Sequence, residues 1–536
     1  MELVLRPPPL LLLLLPPLLQ PPQPGLAAAG PVHGGPRHRP SWKPAGACTS
    51  GSATKHPRQE GKEAWGYVDV RSNASMFWWL YYANDPCKTF TELPLIMWLQ
   101  GGPGGSSTGF GNFEEIGPLN KELKPRTTTW VQAASILFVD NPVGSGFSYV
   151  NQSDAYARNL STVAADMLVL LKTFFEKQTE FQTVPFYIFS ESYGGKMAAG
   201  IALELHKAIQ RDGIKCNFAG VALGDAWISP LDSVLSWGPY LYSTSLLDDQ
   251  GLAEVMLVAE QIEDAINKNQ YSKATQLWNK AEEIIEENTD GVNFYNILTK
   301  TPETSAKKTS PEFSQSHLVS LFRRHVRQLE EDSLSALMNG PIRKKLQSIP
   351  DDVTWGGQSS LVFLNMEEDF MKPVINIVDQ LLEAGINVTI YNGQLDLIVD
   401  TMGQEAWVRK LKWPQLGLFS KLKWKALYND PKRWETAAFF KTYQNLAFYW
   451  ILRAGHMVSG PVCSGLGPAW PVGLVQGPAH IAGVRGGPVA EDRECRKSPP
   501  EITWLPLNHP NSFSFFSKDP FSNRFMEASE KSNAIV

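Results

Sequence analysis

The stretch FYIFSESYGG, Phe186–Gly195, decides the fold of this chain. Four apolar or aromatic residues lead into Ser192, and a helix-like pattern, Gly194–Arg211, follows. This pattern is typical of a nucleophile elbow, in which a serine lies on a tight turn between a strand and a helix with small residues two positions to either side. Only small flanking residues fit such a turn, and the serine hydroxyl is then exposed. Ser190 occupies the first small position, where glycine is usual. An ordinary strand–helix turn is the alternative interpretation.

Strand-like segments recur along the chain on both sides of this turn. Each is a short apolar run that ends in turn-forming residues, as is typical of strands buried on both faces. The runs are LPLIMWLQ, SILFVDNP, PFYIFS, FAGVALGD, NVTIYNG and LAFYWIL. WGYVDVR and SMFWWLYYA predict an opening hairpin, and Thr162–Lys177 has helical spacing. The alternation predicts an α/β fold with a mostly parallel central sheet and helices on both faces.

Composition changes along the chain predict its organisation. Residues 1–29 have the charge, short apolar run and small-residue cleavage site of a secretory signal peptide, and the run is short for a membrane anchor. Residues 232–350 carry charged helical patterns without strand signals, which favours a helical insertion (a cap), with a second helical domain as the alternative. The remaining predicted segments are a disordered leader (30–60), two parts of the core (61–231 and 351–458) and an atypical, poorly ordered Gly/Pro-rich tail (459–536).

Bulk composition excludes several classes of protein. The 536 residues carry a net charge of −5 and no basic patch, which argues against nucleic-acid binding. The five cysteines have no metal-site spacing and are too few for a disulfide scaffold, so neither a metal nor a cofactor is predicted. A secretory route predicts a secreted or lysosomal protein without stable membrane insertion, and leaves the oligomeric state open. Four sequons then predict glycosylation at Asn73, Asn151, Asn159 and Asn387.

A serine nucleophile needs a base, because the protonated hydroxyl reacts poorly. On a strand–helix elbow the partners follow in the order Ser, acid, His. Asp396 comes directly after the predicted strand NVTIYNG, with Asp400 as the competing carboxylate. Three of the nine histidines follow Asp396, and two of these, His480 and His509, fall in the predicted tail. The sequence therefore predicts a triad of Ser192, Asp396 and His456.

The glycine-rich segment WLQGGPGGSS, Trp98–Ser107, follows an apolar strand. A phosphate-binding loop would end in Gly-Lys-Ser/Thr, and this segment has no lysine. Exposed backbone N–H groups beside a nucleophile can instead donate hydrogen bonds to a developing oxyanion. Each such donor typically lowers the activation barrier by about 3–4 kcal/mol. Gly102 and Tyr193, the residue after the nucleophile, are the predicted donors.

Five motifs in this order resemble the serine carboxypeptidase family of α/β-hydrolases. They are WLQGGPGGSS, FEEIGP, SESYGG, YNGQLDLIVD and AGHMV, and the resemblance covers residues 61–458. It implies an α/β-hydrolase fold and a secreted or lysosomal exopeptidase, which releases C-terminal residues of peptides or proteins through an acyl-enzyme at acidic pH. Matched position by position, Ser192 is the nucleophile, Asp396 the orienting acid and His456 the base, with Gly102 and Tyr193 at the oxyanion hole.

The resemblance also implies a site for the terminal carboxylate of the substrate, formed by Gln100, Gly101, Glu115 and Glu191. Glutamates beside an anion work only if one of them is protonated and donates a hydrogen bond, and closely spaced carboxyls raise one pKa. We therefore expect peptidase activity to fall between about pH 5 and pH 7, chiefly through a rising KM.

The chain departs from the family pattern in three places. Gln100 stands where relatives have asparagine, and Gly105 where many have cysteine. After Val458 the chain lacks the proline and terminal helix with which relatives continue, which predicts a loss of packing behind His456. Two alternatives to an active carboxypeptidase therefore remain: a catalytically impaired secreted relative with a binding role, and an acyltransferase or esterase on the same scaffold.

Overall fold

In the computed structural model of the chain, residues 62–301, 317–428 and 436–458 are described. The predicted signal peptide, leader and tail, with His480 and His509, lie outside these ranges. Eleven strands among the described residues form one sheet. They are β1 Glu63–Arg71, β2 Ala74–Tyr81, β3 Leu95–Leu99, β4 Ser135–Val139, β5 Tyr149–Val150, β6 Pro185–Glu191, β7 Asn217–Gly224, β8 Asn387–Gly393, β9 Lys425–Tyr428, β10 Thr436–Tyr443 and β11 Leu446–Ile451.

The centre of the sheet is parallel and both of its edges are antiparallel. The strand order is β1-β2-β4-β3-β6-β7-β8-β11-β10-β9, with β5 paired to β2. All neighbours from β4 to β11 in this order pair in parallel. These six strands are the six apolar runs of the sequence, and β1 and β2 form the predicted hairpin. The α/β prediction is confirmed.

Helices lie between the strands. They are α1 Leu160–Lys177, α2 Tyr193–Gln210, α3 Pro230–Ser243, α4 Asp249–Asn267, α5 Tyr271–Asn288, α6 His317–His325, α7 Asp332–Leu337, α8 Arg343–Leu346, α9 Ser359–Asn365, α10 Glu367–Phe370, α11 Ile375–Glu383, α12 Thr401–Val408 and α13 Leu416–Lys421. Within the described parts of residues 225–386, between β7 and β8, the structure has helices and turns and adds no strand to the sheet. No helix in the described ranges is both long and apolar enough to cross a bilayer.

Two apolar cores lie on opposite faces of the sheet. Along β3, Met97 belongs to one core and its neighbour Trp98 to the other, as the alternation of side chains on a strand requires. Met197 of α2 packs in the first core and Leu346 of α8 in the second. Both faces of the central strands are therefore covered, which explains their continuous apolar sequences.

The parallel strands β6, β7, β8 and β11 are consecutive in the sheet, so their carboxyl ends lie along one edge. The register places Glu191 opposite Gly224, and Gly393 opposite Ile451. The segments that follow β6, β8 and β11 carry the predicted catalytic side chains of Ser192, Asp396 and His456. This edge is where ligands bind in α/β sheets.

Candidate active site

Ser192 lies on a strained turn between β6 and α2. Its φ and ψ are 62° and −131°, a backbone conformation that residues other than glycine rarely adopt and that is held only where the surroundings impose it. The Ser192 N–H donates to the Gly224 carbonyl at 3.0 Å, and the Ser192 carbonyl accepts from the N–H groups of Gly195 and Trp227, both at 2.9 Å. The neighbouring strand β7 therefore holds the turn in place. The serine side chain is half-buried.

Close backbone approach explains the glycines on both sides of this turn. A Cβ on Gly101 would lie 2.6 Å from the Ser192 Cβ and 3.0 Å from the Tyr193 nitrogen. A Cβ on Gly194 would lie 2.4 Å from the Leu99 carbonyl oxygen. The end of β3 is thus pressed against the elbow, and side chains at either glycine would separate them. This contact is the physical reason for the glycine-rich segment that follows β3.

Asp396 and His456 are joined directly. His456 Nδ1 lies 2.8 Å from Asp396 Oδ2, and both side chains are buried. The Val399 N–H donates to Asp396 Oδ1 at 3.2 Å. His456 Nε2 is buried and has no hydrogen-bond partner among the described residues, so it is not bonded to the Ser192 hydroxyl in this conformation. Such bonds are often long before substrate binds.

The competing carboxylate Asp400 is occupied elsewhere. It caps α12 by accepting the Gly403 N–H at 2.9 Å, and its other oxygen accepts the Ser236 hydroxyl at 2.7 Å. Burial raises the pKa of Asp400 to about 7. The structure pairs the imidazole with the predicted Asp396 and not with its competitor Asp400.

Burial sets the proton affinities of the pair. Burial lowers the pKa of His456 to about 4. Burial likewise raises the pKa of Asp396 well above its ordinary value. The imidazole is therefore neutral above about pH 4, as a general base must be.

A segment that follows α5 supports both catalytic loops. The His456 N–H donates to the Tyr295 carbonyl at 2.8 Å, and the Tyr295 ring meets the imidazole edge-on with centroids 4.9 Å apart. The Tyr295 hydroxyl lies 3.0 Å from His325 Nδ1 on α6. The preceding carbonyl, Phe294, accepts the Leu397 N–H at 3.0 Å. The histidine loop is thus packed from within the described residues.

The two predicted oxyanion donors lie at the same turn. Gly102 has a φ of +116°, which favours glycine. It follows Gly101, on which an added Cβ would lie 3.0 Å from the Tyr193 nitrogen. Tyr193 itself is anchored through its hydroxyl, which donates to Asp369 Oδ2 at 2.7 Å. Lys196 Nζ lies 3.0 Å from the same carboxylate, and burial lowers the pKa of Lys196 to about 8. This buried group fixes Tyr193, the second predicted oxyanion donor.

The predicted carboxylate-binding residues form one buried cluster. Gln100 Nε2 donates to Glu115 Oε1 at 3.0 Å and to Glu191 Oε1 at 2.9 Å, and Gln100 Oε1 accepts the Trp98 indole N–H at 2.9 Å. Glu115 belongs to a π-helical segment, Ser107–Ile116, that follows the glycine turn. Burial, followed by the charge of Glu115, raises the pKa of Glu191 well above its ordinary value. The pair of glutamates therefore retains a proton at a pH where isolated glutamates are ionised.

Sequence analysis missed four residues around the site: Asp225, Tyr295, Asp369 and Lys196. Asp225 carried a usable signal, because it directly follows the apolar run FAGVALGD, and polar residues at the carboxyl ends of parallel strands gather at one edge. Its carboxyl, the Asp396 carboxyl and the His456 imidazole have ligand atoms within 4.8 Å of one another. The other three lie in or contact helices, where no sequence motif marked them.

The sequons lie at the surface or close to it. Asn151, Asn159 and Asn387 are exposed and Asn73 is half-buried. Asn159 also caps α1 by accepting the Thr162 N–H at 2.9 Å.

Comparison with known proteins gives consistent matches. The family model for serine carboxypeptidases matches residues 53–462. Retinoid-inducible serine carboxypeptidase from Homo sapiens is 75% identical over 409 residues, 76% of this chain and 90% of that protein. Serine carboxypeptidase-like 51 from Arabidopsis thaliana is 45% identical over 430 residues, 77% of this chain and 92% of the relative.

The fold agrees with these sequence matches. The crystal structure of Kex1Δp, a prohormone-processing carboxypeptidase from Saccharomyces cerevisiae, is similar with a TM-score of 0.64 and 23% identity, covering 78% of this chain and 90% of that chain. At this identity the likeness shows the fold alone. The motifs, the extent of the family match and the identity to curated relatives show that this chain belongs to the serine carboxypeptidase family.

Proposed function

We propose that this chain is a serine carboxypeptidase that releases residues one at a time from the C-terminal ends of peptides. One observation carries the proposal: beside the Ser192 elbow, buried Gln100 ties together two buried glutamates, Glu115 and Glu191. A protonated glutamate there can donate to a free C-terminal carboxylate, and a general esterase has no need of such a group. Membership of the family supports the same conclusion.

In the proposed acylation step, His456 Nε2 takes the proton of the Ser192 hydroxyl while Oγ forms a bond to the scissile carbonyl carbon. The carbonyl oxygen becomes an oxyanion that accepts from the N–H groups of Gly102 and Tyr193. Asp396 holds the imidazole through Nδ1 and stabilises the imidazolium. The C–N bond then breaks, and His456 returns the proton to the departing amine, which is the released C-terminal residue.

Deacylation repeats these steps with water in place of the serine. His456 takes a proton from water, whose oxygen attacks the ester carbon. When the C–O bond to Ser192 breaks, the imidazolium returns a proton to Oγ. The products are the shortened peptide acid and the free enzyme.

We also propose that substrate binding weakens as pH rises. Below the raised pKa of Glu191 the glutamate pair holds a proton and can donate it in a hydrogen bond to the substrate carboxylate. Above it, two carboxylates face a third. Since His456 is neutral above about pH 4, the base does not limit activity in the same range. Acidic pH is therefore the proposed working range, as in a lysosome or an acidified secretory compartment.

The proposed location follows from the predicted signal peptide and sequons. We propose a secreted or lysosomal glycoprotein that acts on peptide or protein C-termini, with glycans on the four sequon asparagines. Treatment of protein secreted by animal cells with an N-glycosidase should lower its mass. Unchanged mass would refute the glycosylation part of the proposal.

The experiment that tests the activity uses the full chain and two reagents. A fluorophosphonate probe should label the wild-type protein and not Ser192→Ala. An N-blocked dipeptide with a free C-terminus should then be cleaved at least about tenfold faster at pH 5 than its C-terminal amide. Labelling with equal cleavage of both dipeptides would favour an esterase or acyltransferase, and absence of labelling would favour the impaired relative.

A further inference from the structure

Asp225 is the residue that follows β7, the strand between the serine strand β6 and the aspartate strand β8. It is fully buried, and its φ of +40° is unusual for aspartate. Its N–H donates to the Tyr391 carbonyl at 2.9 Å, and its Oδ1 accepts the Gly393 N–H at 2.8 Å. The carboxyl is therefore fixed against the end of β8, where the loop that carries Asp396 begins.

A carboxyl oxygen of Asp225 lies within 4.8 Å of ligand atoms of both Asp396 and His456. Asp225 Oδ2 is buried and meets no N–H or hydroxyl donor among the described residues. The groups whose charge acts on it are Asp396 and His456. Two ionised carboxylates in contact within a buried site repel strongly, so this arrangement is stable only if one of them holds a proton.

The hydrogen bonds indicate which carboxyl holds that proton. Both oxygens of Asp396 already accept, Oδ2 from His456 Nδ1 and Oδ1 from the Val399 N–H. Asp225 accepts through Oδ1 alone, which leaves Oδ2 free to carry a hydrogen. Burial and then the charge of Asp396 raise the pKa of Asp225 well above its ordinary value, which agrees with this placement.

We propose that Asp225 is a positioning residue for the catalytic pair: its protonated Oδ2 donates a hydrogen bond to the Asp396 carboxylate and holds that carboxylate against His456 Nδ1. The inference rests on the proposed function in that it takes His456 as the base. A neutral Asp225 also adds no negative charge beside the imidazole, so His456 remains a weak base that stays unprotonated in acid.

Other ionisable groups face this cluster and could alter its titration. Glu191, at the end of β6, is affected by the charge of Asp225, and Glu115 acts on His456. Asp400 acts on Asp396 from the start of α12. All three are carboxyls, so each of them further disfavours an ionised Asp225. Burial and the neighbouring carboxyls favour the neutral form of Asp225, whereas the Gly393 N–H and the charge of a protonated His456 oppose it.

Three variants of the full chain test the inference: Asp225→Ala, Asp225→Asn and Asp212→Asn. Asp212 is a matched control, an exposed aspartate that also has a positive φ, of 54°. We expect Asp225→Ala to lower kcat at least about tenfold with KM changed less than about threefold, because the donor to Asp396 is lost. Asp225→Asn should recover most of kcat, because its amide also donates. Asp212→Asn should match the wild type.

The pH profile of kcat/KM separates this role from a purely structural one. If Asp225 is neutral in the wild type, Asp225→Asn leaves the acid limb, which reports His456, within about 0.3 pH unit. A downward shift of about 0.5 unit or more would mean that an ionised Asp225 had been raising the pKa of His456, and would overturn the inference. Wild-type kcat in Asp225→Ala, or no recovery in Asp225→Asn, would overturn it too.

Labelling by a fluorophosphonate gives a readout that does not depend on the peptide substrate. The labelling rate should fall in Asp225→Ala and recover in Asp225→Asn, even if the chain acts on esters instead of peptides. If Asp225→Ala does not fold, as thermal melting would show, the acid limb of Asp225→Asn decides alone. A wild-type chain that is not labelled would overturn the proposed function and this inference together.

Discussion

Replacing Glu191 by glutamine tests the carboxylate site most directly. The amide keeps an oxygen to accept from Gln100 Nε2, which lies 2.9 Å from Glu191 Oε1. It also donates permanently, as the protonated acid does only below its pKa. Glu191→Gln therefore fixes the pair in the charge state that we propose binds substrate, and should remove the pH dependence of KM.

The expected change in KM follows from the strength of the hydrogen bond between Glu191 and the substrate carboxylate. A hydrogen bond to a charged group contributes about 1.5–3 kcal/mol, which corresponds to roughly 10- to 150-fold in binding. As pH rises, the wild-type glutamate pair loses the proton that it shares, so the bond is lost and a repulsion replaces it. We therefore expect the wild-type KM to rise at least about tenfold between about pH 5 and pH 7, and the KM of Glu191→Gln to change less than about threefold.

The assay is steady-state hydrolysis of the N-blocked dipeptide acid at several pH values, with kcat and KM resolved separately. Glu114→Gln is the matched control, because this neighbouring glutamate is half-buried and pairs with Lys121 at 3.1 Å, away from Gln100. The control should keep the wild-type slope. A flat wild-type KM, or a wild-type slope in Glu191→Gln, would refute the reasoning.

Three further predictions concern the rest of the site. Gly101→Ala should lower kcat about a hundredfold, because the new Cβ would lie 2.6 Å from the Cβ of Ser192. Gly417→Ala is the control and should leave kcat unchanged, because its Cβ would meet nothing within 4 Å. Equal kcat values in the two variants would contradict the argument from close approach. Asp396→Asn should lower kcat about 10⁴-fold, because Asp396 holds the His456 imidazole. Asp400→Asn should mainly lower the melting temperature, because it weakens the cap of α12. A larger loss of kcat in Asp400→Asn would make Asp400 the orienting acid instead of Asp396. Tyr295→Ala should lower kcat about tenfold, because it removes the ring that packs on the His456 imidazole. Tyr295→Phe keeps the ring and should lower kcat less than about threefold. Similar kcat values in both variants would show that the ring does not contribute to catalysis.

The sequence predicts the central strands well for a physical reason. A strand buried on both faces must be apolar along its whole length, and a short apolar run between turn residues has few other interpretations. The edge strands β9 and β10 were not predicted. They include Lys425 and Lys441 and are only partly buried, as is common at a sheet edge, so they carry no continuous apolar signal.

The proposed catalytic residues could be named from the sequence for a reason that does not apply to the residues that support them. On a strand–helix elbow the partners follow in the chain order serine, acid, histidine. Ser192, Asp396 and His456 could therefore be named without knowledge of the strand order in the sheet. Asp225 could not be placed beside Asp396, because β7 and β8 are sheet neighbours separated by more than 160 residues of chain. Spatial adjacency across so long a connection is set by strand order, which no local pattern encodes.

The contacts that hold the histidine loop also join residues that are far apart in the chain. Family resemblance predicts that the loop loses support where the chain departs from the family after Val458. The described residues nevertheless hold His456 from another direction: Tyr295 accepts its N–H at 2.8 Å, and the Leu395 N–H donates to the Ala454 carbonyl at 2.8 Å. Since Phe294 also accepts from the Asp396 loop, the proposed base and its proposed orienting acid are both held by one segment. Their 2.8 Å contact therefore depends on the region between β7 and β8, which contacts both loops through residues that precede Val458.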